Sequence, residues 1–126
     1  NCNIEVIKET KLKKLISLPG VFTASECFSA LDNGADGLKF FPSFRLKPAG
    51  YGAIKETLPK NVRSFAVGGI NDTDFLEWFE VGITGFGIGS SLYKVGDKTD
   101  QIFVKAKKIV DVFDKSRAQF LDKVRE

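Results

Sequence analysis

Short apolar segments alternate with amphipathic, helix-like segments along the whole chain, and this alternation constrains the fold more than any other feature. We predict a leading helix from Ile4 to about Lys14, followed by four strand–helix units. The strands are expected at residues 15–18, 37–41, 63–67 and 84–88. Strict alternation indicates parallel strands covered by helices. No linker or low-complexity segment interrupts the pattern, so we predict a single α/β domain over residues 1–126.

The helices between the strands have recognisable boundaries. Thr23 and Glu26 have the spacing of a capping box and open the second helix. The third helix is predicted from about Pro48 to Leu58, and Asn71 or Thr73 caps the fourth. The last helix is predicted to align one apolar stripe formed by Ile102, Ala106, Ile109, Val110 and Phe113.

The repeat length suggests what the four units belong to. A unit of roughly 25 residues repeated eight times gives about 200 residues, the lower end for a (β/α)8 barrel. Four strands do not close such a barrel. The chain is therefore the C-terminal half of a (β/α)8 TIM barrel, with strands 5–8, or a small open sheet of the doubly wound kind. The sequence contains no methionine, and we expect a processed or truncated chain.

Composition excludes several classes of function. The formal net charge is only +3 and lysines alternate with acidic residues, so we expect no nucleic-acid partner. No apolar run or leader segment is present, and we expect no membrane association and a cytoplasmic location. Cys2 and Cys27 are expected to be reduced thiols. Because the sequence contains no histidine, Ser–His pairs, Cys–His pairs and histidine-ligated metals are excluded within it.

Lys39 is the main candidate for chemistry, because functional groups in parallel α/β folds gather at the carboxyl ends of strands. Strand alternation places Leu38 and Phe40 on one face and Lys39 on the other. In a barrel, Lys39 would point into the interior near its open end. Burial favours the neutral amine, which attacks a carbonyl to form a Schiff base. The sequence of this strand is equally consistent with a second interpretation, in which Lys39 is exposed on an edge strand and prevents aggregation.

The next two strands end in glycine-containing turns. Gly68 and Gly69 follow the third strand, and Gly89 and Ser90 follow the fourth. Glycine lets backbone N–H groups approach an anion, and barrels frequently build a phosphate site after strands seven and eight. Each turn alone fits a tight loop, but the pair at adjacent strand ends predicts phosphate binding. The run at residues 85–89 is not a dinucleotide fingerprint, because its glycine spacing is wrong and no helix follows at once.

Four other side chains are assigned structural roles. Glu26 and Asp72 lie in helix-capping contexts rather than in acid–base positions. Trp78 lies on a predicted helix and is expected to pack, and Arg45 is expected to be solvated.

Four segments resemble, in order and spacing, successive motifs of the 2-keto-3-deoxy-6-phosphosugar-acid aldolases. These segments are Pro19–Glu26, Gly37–Ser43, Val67–Ile70 and Gly87–Tyr93, and the resemblance runs from about Asn3 to Val110. Each motif is weak alone, whereas a lysine strand followed by both glycine turns is specific. The third and fourth strand ends look closer to the phosphogalactonate branch than to the phosphogluconate branch.

The resemblance implies a class I aldolase, a homotrimeric (β/α)8 barrel that needs no metal or other cofactor. Its members reversibly cleave a phosphorylated keto-deoxy sugar acid, here 2-dehydro-3-deoxy-6-phosphogalactonate, into pyruvate and glyceraldehyde 3-phosphate. By position, Lys39 would be the Schiff-base lysine and the turns at 68–69 and 89–90 would hold the phosphate. Pro42 would shape the end of the lysine strand.

The chain also departs from the family pattern. The first half of the barrel is absent, and with it the family's proton-shuttling glutamate and the arginine and threonine that hold the substrate carboxylate. We therefore expect the fragment alone to be an incomplete catalyst. The alternatives are the phosphogluconate epimer as substrate, a non-catalytic phosphate-binding barrel module in which Lys39 only pairs with an anion, and an open-sheet protein with a nucleotide or phosphoryl ligand.

Overall fold

The structure is a computed structural model that describes residues 2–125, and its centre is a sheet of four short parallel strands. The strands are β1 (Gly20–Val21), β2 (Leu38–Phe40), β3 (Ser64–Val67) and β4 (Gly85–Gly87). Their spatial order is the order of the chain, β1-β2-β3-β4, and each neighbouring pair is parallel. The predicted α/β class and the parallel pairing are therefore confirmed.

Five helices and one short 3₁₀ turn flank the strands. They are α1 (Ile4–Leu12), α2 (Ala24–Asp32), α3 (Ser43–Lys55), the 3₁₀ turn (Asp72–Asp74), α4 (Phe75–Glu80) and α5 (Thr99–Arg125). The predicted capping box at α2 is confirmed, because Thr23 Oγ1 accepts the Glu26 N–H while the Glu26 carboxylate accepts the Thr23 N–H at 2.9 Å. Asn71, not Thr73, is the residue that precedes the 3₁₀ turn.

One face of the sheet packs against the helices and forms the core. Val21, Leu38, Phe40 and Ala66, one side of the strand alternation, are buried there. The ring of Phe40 meets Tyr51 of α3 edge-on at 4.9 Å between centroids. An aromatic cluster joins β4 to the last two helices, with Phe75, Phe79, Phe86 and Phe113 in mutual contact. Apolar burial of this kind is the main contribution that holds α/β layers together.

The opposite face of the sheet is open. The strand register places Gly20, Lys39, Phe65 and Gly85 in one row on that face. Phe41, immediately beyond β2, is 52% exposed there. A sheet with one covered and one open face is unusual for parallel strands, which are normally covered on both.

Several predicted boundaries are wrong. The first strand lies at Gly20–Val21 instead of 15–18, because Leu15, Ile16 and Leu18 point largely to solvent. In place of a ladder, Ser17 is held by Asp36, whose carboxylate accepts the Ser17 N–H at 2.7 Å.

The third helix also begins earlier than predicted. A first turn starts at Ser43, and Lys47, with a φ of 58°, interrupts the helix before it continues from Pro48. Proline suits that restart, because the first residue of a helix needs no N–H partner.

Two apolar faces differ in membership from the sequence pattern, which predicts Ile4, Ile7 and Leu12 on one face of α1 and the stripe given above on α5. On α1 only Ile7 is buried, while Leu12 is 78% exposed. On α5, Val110 is 55% exposed, and the residues packed against the core are Ile109, Val112, Phe113 and Phe120.

No helix within residues 2–125 combines the length and the apolar character that crossing a bilayer would require.

Candidate functional site

Lys39 lies in the middle of β2 and faces away from the helices. Its neighbours Leu38 and Phe40 are fully buried on the helix side, whereas Lys39 is partly exposed on the open face. The Lys39 ammonium lies 5.6 Å from the ring centroid of Phe41, within the range of a cation–π contact. The placement predicted from strand alternation is therefore the one that the fold adopts. On its other side, Lys39 lines a cavity of about 220 Å³ formed with α1 and with the segment that leads into β1.

The four residues predicted to bind phosphate are brought together at the carboxyl ends of β3 and β4. Gly68, Gly69, Gly89 and Ser90 all line one cavity of about 250 Å³. Phe41 lines the same cavity, and its ring lies beside both the Lys39 ammonium and the Gly68 backbone. Lys39 itself does not line this cavity. The site therefore consists of two neighbouring parts, one at the lysine and one at the turns.

The turn after β3 requires glycine at both positions. Gly68 and Gly69 have φ values of 91° and 72°, in the region that side chains disfavour. A Cβ on Gly68 would lie 2.8 Å from the Phe41 ring, and one on Gly69 would lie 2.7 Å from Phe44 Cβ. The absence of side chains thus lets the backbone pass close to both rings.

The backbone of both turns presents free donors. Within residues 2–125, the N–H groups of Gly68, Gly69, Ser90 and Ser91 have no protein acceptor. Leu92 and Tyr93 both donate to the Gly89 carbonyl, so a helical turn starts directly after β4. Unpaired N–H groups at the start of such a turn and in a left-handed turn are suited to binding an anion.

Pro42 and Ser43 lie just beyond the end of β2. The Phe41–Pro42 peptide bond is cis, and Pro42 occupies the position before the first turn of α3. Ser43 is fully buried; its hydroxyl donates to the Phe40 carbonyl at 2.9 Å and accepts the Val67 N–H at 3.0 Å. Sequence reasoning identified Pro42 but missed the contact made by Ser43. The only available signal was a small hydroxyl residue directly after a strand-ending proline.

Glu26, Trp78 and Arg45 have the structural roles predicted for them, whereas Asp72 pairs with Lys108 and the cap of the 3₁₀ turn is formed by Asn71 and Asp74. Hydrogen bonds from the Phe22 and Thr23 N–H groups hold the pKa of Glu26 below its ordinary value, against a smaller opposing effect of burial. Lys108 holds the pKa of Asp72 below its ordinary value through a 2.9 Å contact. Trp78 is buried, and the Arg45 guanidinium lies 5.2 Å from the Phe44 ring. In the part of the chain that the structure describes, no Asp or Glu lines either of the two cavities at the site.

Within residues 2–125, the Cys, Asp and Glu side chains form no cluster of three or more that would hold a metal ion. Cys2 and Cys27 are free thiols. Burial raises the pKa of the Cys27 thiol to about 11, with smaller contributions from Glu26 and Cys2.

The sequence and the fold are similar to those of known aldolases. The family model described as KDPG and KHG aldolase matches residues 2–108. A probable 2-dehydro-3-deoxy-6-phosphogalactonate aldolase of Rhizobium meliloti (strain 1021) is 45% identical over 96 residues, which covers 75% of this chain and 45% of that protein. The 2-dehydro-3-deoxy-6-phosphogalactonate aldolase of Escherichia coli (strain K12) is 35% identical over 113 residues, covering 90% of this chain and 55% of that protein.

A solved structure described as native KDPGal superposes with a TM-score of 0.85 at 33% identity, covering 95% of this chain and 56% of that one. The chain therefore spans about half the length of the curated relatives that it matches.

Proposed function

This chain belongs to the KDPG and KHG aldolase family, and from that premise we propose that it supplies the Schiff-base lysine and the phosphate site of a class I aldolase. The substrate is 2-dehydro-3-deoxy-6-phosphogalactonate, which is cleaved reversibly to pyruvate and glyceraldehyde 3-phosphate. The observation that carries the proposal is the position of Lys39. It lies on the open face of the sheet, one aromatic ring away from a cavity lined by Gly68, Gly69, Gly89 and Ser90.

We propose further that the chain forms strands 5–8 of a (β/α)8 barrel. On the open face, Lys39 and Phe65 lie in one row between two glycines. A mixture of small and large residues of this kind fills the interior of a barrel. The exposed ring of Phe41 fits the same interpretation. The coverage of about half of each relative agrees with four strands out of eight. We expect the complete barrel to form a homotrimer in the cytoplasm.

The proposed reaction uses Lys39 as an electron sink. The neutral amine adds to the C2 carbonyl of the substrate, and loss of water gives an iminium ion. A base removes the proton of the C4 hydroxyl, the C3–C4 bond breaks, and its electron pair moves into the iminium to form an enamine. Glyceraldehyde 3-phosphate leaves with the new carbonyl at C4. The enamine then takes up a proton, and addition of water releases pyruvate and the free lysine.

The phosphate end of the substrate would be held at the two turns. The free N–H groups of Gly68, Gly69 and Ser90, together with the Ser90 hydroxyl, are the donors available there. The proton transfers need a group that the site cavities do not contain, since no carboxylate of residues 2–125 lines them. We therefore assign the acid–base group to the half of the barrel that this chain does not span, and expect the chain alone to turn over poorly.

Borohydride trapping tests the proposal. The chain is incubated with pyruvate and sodium borohydride, alone and with the part of the Rhizobium meliloti relative that this chain does not match. Mass spectrometry should find a lactyl-sized mass gain on Lys39, larger in the combined sample, and Lys39→Arg should remove it. Trapping at another lysine, or none in the combined sample, would refute the Schiff-base role and favour a phosphate-binding module in which Lys39 pairs with an anion.

The choice of substrate has its own test. The combined sample should cleave the phosphogalactonate more efficiently than the phosphogluconate epimer, measured as kcat/KM for each. The reverse preference would assign the chain to the phosphogluconate branch while leaving the Schiff-base chemistry intact.

A further inference from the structure

Ser43 lies where β2 and β3 separate, and its side chain has no exposed surface. In a regular parallel ladder, an N–H of one strand donates directly to a carbonyl of its neighbour. Here the Ser43 hydroxyl stands between the two strands, donating to the Phe40 carbonyl at 2.9 Å and accepting the Val67 N–H at 3.0 Å. The hydroxyl therefore contacts both strands at the last pair of the ladder, where Phe40 lies opposite Ala66.

The next residue fixes the turn that follows β3. The Phe44 N–H donates to the Gly68 carbonyl at 3.0 Å. That bond turns the Gly68 carbonyl toward α3, while the N–H groups of Gly68 and Gly69 have no acceptor within residues 2–125. Ser43 thus holds Val67, the last residue of β3, and Phe44 holds Gly68, the first residue of the turn.

We propose that Ser43 is a positioning residue that sets the placement of the Gly68–Gly69 turn relative to Lys39. This inference rests on the proposed function, in which the lysine and the turn bind opposite ends of one substrate. Loss of the hydroxyl would remove one hydrogen bond from the Phe40 carbonyl and one from the Val67 N–H in a buried position. The end of β3 would then be held less firmly against β2, and the turn that follows it would be displaced. The Lys39 side chain, two residues before the end of the ladder, is affected less.

The chain contains a matched control at Ser64. This residue is also fully buried, on the helix side of β3, but its hydroxyl has no hydrogen-bond partner within the described residues. Ser64→Ala is therefore the same chemical change at the same depth without loss of a bridge. Ser43→Cys is a second informative variant, because it keeps nearly the same volume while replacing the hydroxyl with a weak donor and acceptor.

The experiment measures the two parts of the site separately in the combined sample described above. Titration with inorganic phosphate, followed by the amide signals of Gly68, Gly69 and Ser90, reports the phosphate affinity. The rate of pyruvate trapping reports Lys39. We expect Ser43→Ala and Ser43→Cys to raise the phosphate Kd roughly tenfold, because small displacements of binding groups have large effects. Pyruvate trapping should stay within about twofold, and Ser64→Ala should leave both values within about twofold.

The outcomes separate this inference from the proposed function. A phosphate Kd of both Ser43 variants within about twofold of the unmodified chain refutes the positioning role. A parallel loss of phosphate binding and pyruvate trapping also refutes it, because the residue would then support the fold as a whole. If the unmodified chain neither traps pyruvate nor binds phosphate, the proposed function fails and the inference fails with it.

Discussion

Gly68→Ala is the change whose effect on stability follows most directly from the structure. The φ of 91° places the residue in the left-handed region, which costs an alanine about 1–2 kcal/mol. The new Cβ would also lie 2.8 Å and 2.9 Å from two carbon atoms of the Phe41 ring. Overpacking of this kind costs about 1–3 kcal/mol. We expect a cost in the lower half of that range, because Phe41 is 52% exposed and its ring moves more easily than a ring in the core. Together the two effects should lower the free energy of unfolding by about 3 kcal/mol.

Urea unfolding followed by fluorescence measures this change, because Trp78 is the single tryptophan and is buried. With a slope near 2 kcal/mol per molar urea, the midpoint should fall by roughly 1.5 M. Gly89→Ala is the matched control. No atom of residues 2–125 lies within 4 Å of a Cβ added there, so the free energy of unfolding should change by less than about 1 kcal/mol.

A double-mutant cycle separates the two causes. In a Phe41→Ala background the steric contact is gone, and Gly68→Ala should cost only the left-handed contribution of about 1–2 kcal/mol. An equal cost in both backgrounds would show that the Phe41 ring is not involved. A cost below about 0.5 kcal/mol in the unmodified chain would refute the left-handed assignment as well.

Three further predictions concern residues outside the site. Thr23→Ala removes the side-chain acceptor of the α2 cap and should lower the free energy of unfolding by about 1 kcal/mol in urea unfolding. Since the pKa of Glu26 is held below its ordinary value, its carboxylate stabilises the fold fully above that ordinary value and loses the effect as the pH falls through the lowered one. The stabilities of Glu26→Gln and the unmodified chain should therefore differ near neutral pH and converge in acid. Burial raises the pKa of Cys27 to about 11, and this thiol should therefore stay unmodified by iodoacetamide while Cys2 reacts. Peptide mass spectrometry measures the labelling, and equal labelling of both thiols would contradict the burial of Cys27.

The parts of the fold that sequence predicts well are those set by local signals. The capping box at Thr23 and the strand that contains Lys39 both depend on residues close together in the chain, and both appear as predicted. The segment at residues 15–18 is as apolar as a strand, yet it lies outside the ladder. Its conformation depends on Asp36, which accepts the Ser17 N–H and also contacts Lys11 at 2.6 Å. Such a contact between distant residues leaves no local pattern.

The same distinction applies to the candidate site. Position at a strand end and glycine content are local features, and they predicted Lys39 and the two turns, which the fold places around one aromatic ring. The distance between these groups is instead set by Ser43, which acts through the backbone of Phe40 and Val67 rather than through any side chain with recognisable chemistry. The proposed substrate joins a ketone at one end to a phosphate at the other, and its binding requires that distance to be constant. A residue that fixes distance is therefore as necessary as those that bind, although its sequence signature is only a serine after a proline.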